Sequence, residues 1–166
     1  ATILENGNMK LLEKIQLGDV SLKNRIAMAA MTRGRANING LVGDMTVAYY
    51  AQRASAGLLL SEAIRISEDA TGSPLTPGIF TEEQIKAWEK VTAGVHDKGG
   101  VIVAQLWHTG RIGHSVDRNG KLPFAPSPLP IRGMKHFTSQ GAKDYEIPQE
   151  MTISRIEQTV KDYGQA

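Results

Sequence analysis

The sequence predicts a parallel α/β fold built from βα units, and three observations lead there. Short runs that are apolar at every position recur at residues 26–31, 58–60 and 101–104, as strands covered on both faces of a parallel sheet do. Helical periodicity fills both intervals between them, giving the strand, helix, strand, helix, strand order of βα repeats. The 166 residues, 41% hydrophobic and 22% charged, suit one globular domain or a piece of one and are too apolar for disorder.

The elements follow in order. After a polar leader, Lys14-Ile15-Gln16-Leu17-Gly18-Asp19-Val20-Ser21-Leu22-Lys23 alternates apolar and polar on both sides of a Gly-Asp turn, a hairpin signature. The run 26–31 is the first strand. Asp44 is placed to cap a helix through about Ser55, with Val47, Ala48, Ala51 and Ala54 as its apolar stripe and Gly57 at its C-terminal end. The second strand, 58–60, leads into Ser61-Glu62-Ala63-Ile64. Thr81-Glu82-Glu83-Gln84 reads as a capping box, Ile85, Trp88, Val91 and Val95 recur at helical spacing, and Lys98-Gly99-Gly100 supplies the stop. The third strand, 101–104, leads into Gln105-Leu106-Trp107-His108.

From Thr109 to Met151 no periodicity is sustained, and five of the seven prolines fall there. A long irregular excursion of this kind is read as a functional loop or lid that leaves room for a small hairpin. From Thr152, Ile153, Ile156, Val160 and Tyr163 mark a last amphipathic helix, and the end at Ala166 reads as a cut through it.

Composition narrows the function classes. Nineteen basic and seventeen acidic residues, dispersed along the chain, leave a net charge of +2, so nucleic acid is not an expected partner. No apolar stretch reaches the length of a membrane span, residues 1–10 lack a signal-peptide core, and no Asn-x-Ser/Thr acceptor occurs, so a soluble cytoplasmic protein with no membrane partner is expected. The absence of cysteine removes disulfides, thiolate metal sites and cysteine nucleophiles, and redox work would need a cofactor.

In a parallel barrel the active site is built beyond the C-terminal ends of the strands, and all three strands here end in unusual residues. They are Met31-Thr32-Arg33, Ser61-Glu62-Ala63 and Gln105-Leu106-Trp107-His108. Thr32 and Gln105 each offer a donor and an acceptor, which suits a flat heterocycle with alternating N–H and C=O groups, such as a flavin. Single polar residues at strand ends are ordinary exits to water; three in phase favour a site. Trp107 stands on the face of Gln105 and reads equally as core or as a wall toward substrate. Glu62 is expected to take an arginine partner, with Arg25, Arg33 and Arg35 available, rather than to act as a base. His108 and His114, six apart without a carboxylate cluster, do not read as a metal site. His96 reads as a helix-end charge partner or surface residue. Gly110-Arg111-Ile112-Gly113 lacks the third glycine and the helix of a dinucleotide fingerprint.

Four words, Leu22-Lys23-Asn24-Arg25-Ile26, Met28-Ala29-Ala30-Met31-Thr32-Arg33, Tyr49-Tyr50-Ala51-Gln52-Arg53-Ala54-Ser55-Ala56-Gly57 and Gln105-Leu106-Trp107-His108, closely resemble the old yellow enzyme family of FMN-dependent, NAD(P)H-driven ene-reductases. Ser61-Glu62-Ala63, Thr76-Pro77-Gly78-Ile79-Phe80-Thr81, Val95-His96-Asp97-Lys98-Gly99-Gly100 and Ala125-Pro126-Ser127 match in the same order. The resemblance, running from about Leu11 to Ala166, implies the N-terminal portion of a TIM (β/α)8 barrel preceded by a small β-hairpin.

It also implies site roles. Ala30, Met31 and Thr32 would lie against the isoalloxazine, with the Thr32 hydroxyl on the carbonyl beside N5. Ala63 would approach the ring through its backbone, Gln105 would pair with the pyrimidine edge, and Trp107 would border the pocket for an enone-type substrate. The family's fourth strand, with its substrate-activating His-x-x-Asn or His-x-x-His pair and a proton-donating tyrosine, has no counterpart here, and neither does the flavin phosphate site. No catalytic acid is therefore assignable. A complete barrel takes about 250 residues, so the remainder of the polypeptide or a second chain is the expected partner. A catalytically incompetent half-barrel fragment or assembly module is the alternative.

Overall fold

The computed structural model describes residues 10–166; residues 1–9 of the polar leader lie outside the described residues. The hairpin forms as read: β1 (Ile15–Leu17) and β2 (Val20–Leu22) pair antiparallel about Gly18-Asp19, with Ile15 opposite Leu22. Beyond it, β3 (Ala27–Met28), β4 (Leu58–Arg65) and β5 (Ile102–Trp107) make a parallel sheet in the order β3-β4-β5. Helices α1 (Asp44–Ala51) and α2 (Glu82–His96) are the crossovers, and both pack on one face of the sheet.

The core lies between that face and the helices: Leu59 and Ile64 of β4 meet Tyr50 of α1 and Trp88, Val91 and Val95 of α2. At about 2 kcal/mol for each large apolar side chain removed from water, this cluster is the main stabilising element of the chain. Among the described residues no helix covers the opposite face, where Val103 stands 47% exposed, and Met31, just beyond β3, is 55% exposed. The first run was expected to be a strand of six residues covered on both faces. Only Ala27 and Met28 pair, because β3 has a single neighbour, and its other side meets no strand among the described residues.

Helix α2 begins with the capping box read from the sequence: Thr81 accepts from the Gln84 N–H, and the Gln84 side chain accepts from Thr81. Trp88, Val91 and Val95 of its stripe are buried as read, but Gln84 takes the first place and Ile85 is partly exposed, because the Gln84 amide also donates to the Asn39 carbonyl at 2.9 Å. Gly99, at φ +65, takes the left-handed turn that ends the helix. Helix α1 starts differently from the expectation. Gly43 occupies the N-cap without a side-chain bond, Asp44 is the first helical residue, and the helix ends at Ala51 with turns through Ser55. Of the expected stripe, Ala54 is buried and Val47 packs against the core, while Ala48 is exposed and Thr46 and Tyr50 are buried in addition.

The bottom of the sheet is held by Lys23 and Asn24. The Lys23 ammonium donates to the Ala54 carbonyl and, at 3.1 Å, to the Gly99 carbonyl, placing a cation at the C-terminal ends of both helical segments. Asn24 donates to the Ser55 carbonyl and approaches Gly57 so closely that a β-carbon there would lie 2.0 Å from its main-chain oxygen. These contacts account for two of the words that carry the family resemblance.

The excursion from Thr109 to Met151 contains the hairpin the sequence left open. β6 (Phe124–Ala125) pairs parallel with β9 (Gln149–Glu150), and β7 (Lys135–Thr138) pairs antiparallel with β8 (Gly141–Asp144). It is pinned to the loop after β4: His136 Nε2 lies 2.6 Å from the Gly72 carbonyl, and Arg118 donates to the Asp69 and Thr71 carbonyls at 2.6 and 2.8 Å. Finally α3 (Ile153–Gln165) is capped by Thr152, which accepts from the Arg155 N–H. Its apolar stripe is uncovered, with Ile153 73% and Val160 66% exposed. Among the described residues no helix is long and apolar enough to cross a membrane.

Candidate functional site

The three apolar residues that open β4 continue a regular ladder, but Ser61 and Glu62 cannot both do so. Leu60 pairs with Val103 and Ala63 with Gln105, so β4 uses one residue more than β5 over the same step. This is a β-bulge, a device that re-aims side chains at sheet ends. The Glu62 N–H, released from the ladder, donates to the Tyr50 phenolic oxygen at 2.6 Å. The Ser61 hydroxyl accepts from the Gln105 N–H at 3.0 Å and donates to the Glu62 carbonyl at 2.6 Å. One Glu62 carboxylate oxygen accepts from the Arg33 N–H at 3.1 Å, which ties the loop after β3 to the bulge.

Glu62 thus takes Arg33 as partner through its main chain and not, as expected, through an arginine ion pair; Arg25 instead faces Glu13 at 3.7 Å. Burial pushes the Glu62 carboxyl above its usual range, opposed by the main-chain donors of Arg33 and Gly34 and by the Arg33 charge. Burial likewise pushes Tyr50 up to about 12. The Arg33 guanidinium lies 4.7 Å from the Tyr49 ring centroid, a cation–π contact that fixes the strand-end loop.

Directly opposed residues share a sheet face and successive ones alternate. Ile64 packs into the helix-side core, so its neighbour Ala63 and the opposed Gln105 stand together on the uncovered face. Ala63 is buried and Gln105 exposed. Met31 and Thr32, exposed, and Ala30, half-buried, follow β3 at the same end of the sheet. Among the described residues neither the Thr32 hydroxyl nor the Gln105 side-chain amide takes part in a hydrogen bond. Trp107, in register with Arg65, has its indole Nε1 buried without a partner.

His108 and His114 do not converge. His108 Nδ1 accepts from the Gly110 N–H at 3.1 Å, which leaves the neutral ring's proton on Nε2, a buried donor without a partner. His114 Nδ1 accepts from the Val116 N–H and lies 3.5 Å from Glu146. Among the described residues no group of three or more potential metal ligands is assembled. Ser61, Tyr50 and Arg118 were not singled out from the sequence. A Ser-Glu pair interrupting an apolar strand was the available sign of the bulge; nothing local marked Tyr50 as its acceptor.

Residues 10–166 match the profile of the NADH:flavin oxidoreductase / NADH oxidase family. The flavin oxidoreductase hxnT of Emericella nidulans is 44% identical over 161 residues, covering 94% of this chain and 41% of that protein. The 12-oxophytodienoate reductase 7 of Oryza sativa subsp. japonica is 38% identical over 160 residues, covering 94% and 40%. Among solved structures, the old yellow enzyme homologue from Zymomonas mobilis superposes with a TM-score of 0.89 at 41% identity, covering 94% of this chain and 43% of that one. Morphinone reductase in complex with tetrahydroNAD gives a TM-score of 0.88 at 40% identity, covering 95% and 45%. The chain therefore spans about two-fifths of the length of these relatives, its three-stranded sheet is the N-terminal portion of a (β/α)8 barrel, and it belongs to the NADH:flavin oxidoreductase / NADH oxidase family.

Proposed function

We propose that this chain supplies the flavin-ring side of an FMN-dependent, NAD(P)H-driven ene-reductase, whose barrel is completed by residues outside the chain or by a second chain. The observation that carries the reading is the bulge register, which sets Ala63 opposite Gln105 on the open face beside a strand end bearing Thr32. The residues fit a flavin. Gln105 brings both an amide donor and an amide acceptor to a ring edge that alternates N–H and C=O, and the Thr32 hydroxyl can donate to a ring carbonyl. The methyl side chain of Ala63 permits a flat ring to approach the strand, with the main chain of Ala30 and Met31 alongside. Trp107 borders the space for an α,β-unsaturated carbonyl substrate. Bound FMN supplies the hydride chemistry between NAD(P)H and the activated alkene, while the protein orients and polarises. The family profile and the nicotinamide analogue named with morphinone reductase support this reading.

The test uses a polypeptide with a completed barrel. Thr32→Ala and Gln105→Ala are each expected to weaken FMN binding or slow its reduction by NAD(P)H roughly fivefold, the effect of one hydrogen bond of about 1 kcal/mol. Unchanged affinity and rate in both variants overturns the assignment. A second reading, a non-catalytic assembly module, is favoured by the uncovered stripe of α3 and the uncovered sheet face. FMN that stays with the purified polypeptide through gel filtration counts against it.

A further inference from the structure

The loops that follow β3, β4 and β5 enclose a cavity of about 440 Å3 that none of the proposed flavin contacts lines. Arg65, in the last position of β4 and only 9% exposed, forms part of its wall. One of its terminal nitrogens donates to Thr71 Oγ1 at 2.6 Å, but its Nε is buried without a partner. No carboxylate among the described residues forms an ion pair with it. Arg118 is the contrast in charge: its Nε is also buried without a partner, but one terminal nitrogen is bonded to two carbonyls and the other lies 3.6 Å from Asp69. A buried guanidinium without a counter-anion is costly, and its planar fork matches a carboxylate.

Two further features belong to the same wall. Leu75 and Asn119, the only non-glycine residues at positive φ among those described, both line the cavity, at φ 55 and 53. Left-handed backbone at a bulky residue such as leucine is strained and clusters where ligands are clamped. The mouth is apolar, with Ile38 86% and Phe137 73% exposed beside it. Asp117, held by the Ser139 N–H at 3.2 Å, also lies on the wall and disfavours a doubly charged head group such as phosphate.

We propose that this cavity binds a small amphipathic carboxylate, its head on the Arg65 guanidinium and its short apolar body against Ile38, Leu75 and Phe137. The site is independent of the flavin reading, since none of the proposed ring contacts lines it.

The test titrates the full polypeptide carrying this chain with sodium hexanoate, 1-hexanol and inorganic phosphate, by calorimetry and by the amide shifts of Thr71 and Ser139. Hexanoate is expected to bind, with hexanol and phosphate at least roughly tenfold weaker. Arg65→Gln removes the preference for hexanoate over hexanol. Because a buried position can fail to fold when changed, Ser139→Asp at the exposed mouth is the second variant, expected to weaken hexanoate at least about threefold and leave hexanol unchanged. The proposal is overturned by absent hexanoate binding, by equal binding of hexanoate and hexanol, by phosphate as tight as hexanoate, or by a folded Ser139→Asp protein with unaltered affinity.

Discussion

Replacing Tyr50 by phenylalanine deletes one oxygen from the centre of the molecule and leaves the ring that packs edge-on to Tyr49 at 5.1 Å and tilted to Trp88 at 6.3 Å. That oxygen accepts the Glu62 N–H at 2.6 Å, and the bulge leaves this N–H no ladder partner. Tyr50 is fully buried and Glu62 1% exposed, so water has no route to take the oxygen's place. A buried donor orphaned in this way costs about 1–3 kcal/mol. With a urea dependence of about 2 kcal/mol per molar for a chain of this size, the unfolding midpoint falls by about 1 M. Urea unfolding followed by tryptophan fluorescence on the complete polypeptide measures the shift, and hydrogen exchange at Glu62 shows whether the loss is local. A midpoint lowered by less than about 0.25 M, with protection at Glu62 intact, would refute the claim that the bulge depends on this acceptor.

Two other outcomes are expected. Gly57→Ala places a β-carbon 2.0 Å from the Asn24 oxygen, a collision between two main-chain segments that cannot be relieved by a rotamer; stability falls by about 3 kcal/mol or more, and an unchanged melting temperature refutes the close approach. Burial, then the neighbouring Arg118 charge, pushes His108 below its usual 6.5, so the unfolded chain binds this proton first. Stability is therefore lost as pH falls from 6.5 through the folded-state pKa and is regained above it. His108→Gln is expected to flatten the change in melting temperature between about pH 7.5 and 5.5, and an unaltered slope refutes the assignment.

What was legible in the sequence was encoded within a few residues of itself. The capping box at Thr81 and the Gly-Asp turn of the first hairpin are complete in a short window, and the structure keeps both. The hairpin of β7 and β8 was not legible because it buries His136 and Thr138 rather than apolar residues, and its left-handed glycine, Gly141, comes after the Ser139-Gln140 loop. Strand β3 was read too long because an apolar run reports the partners it is built to have. Its length here reports the one it meets. At the site, residue identities at the strand ends pointed to the C-terminal end of the sheet, while the bonds among Tyr50, Ser61, Glu62 and Arg33 join segments far apart in sequence. No periodicity encodes such bonds.

The extra residue in β4 acts as a phase setting for everything after it. Without the bulge, the same residues in unbroken register would set Ser61 opposite Ala104 and Glu62 opposite Gln105. Opposite Gln105 would then stand a carboxylate in place of a methyl group. The side chain now secured against Arg33 would project a negative charge onto the open face. The bulge thus keeps a methyl group, and not a carboxylate, beside Gln105 on the open face, and a register slip of one residue would reverse that without changing the fold.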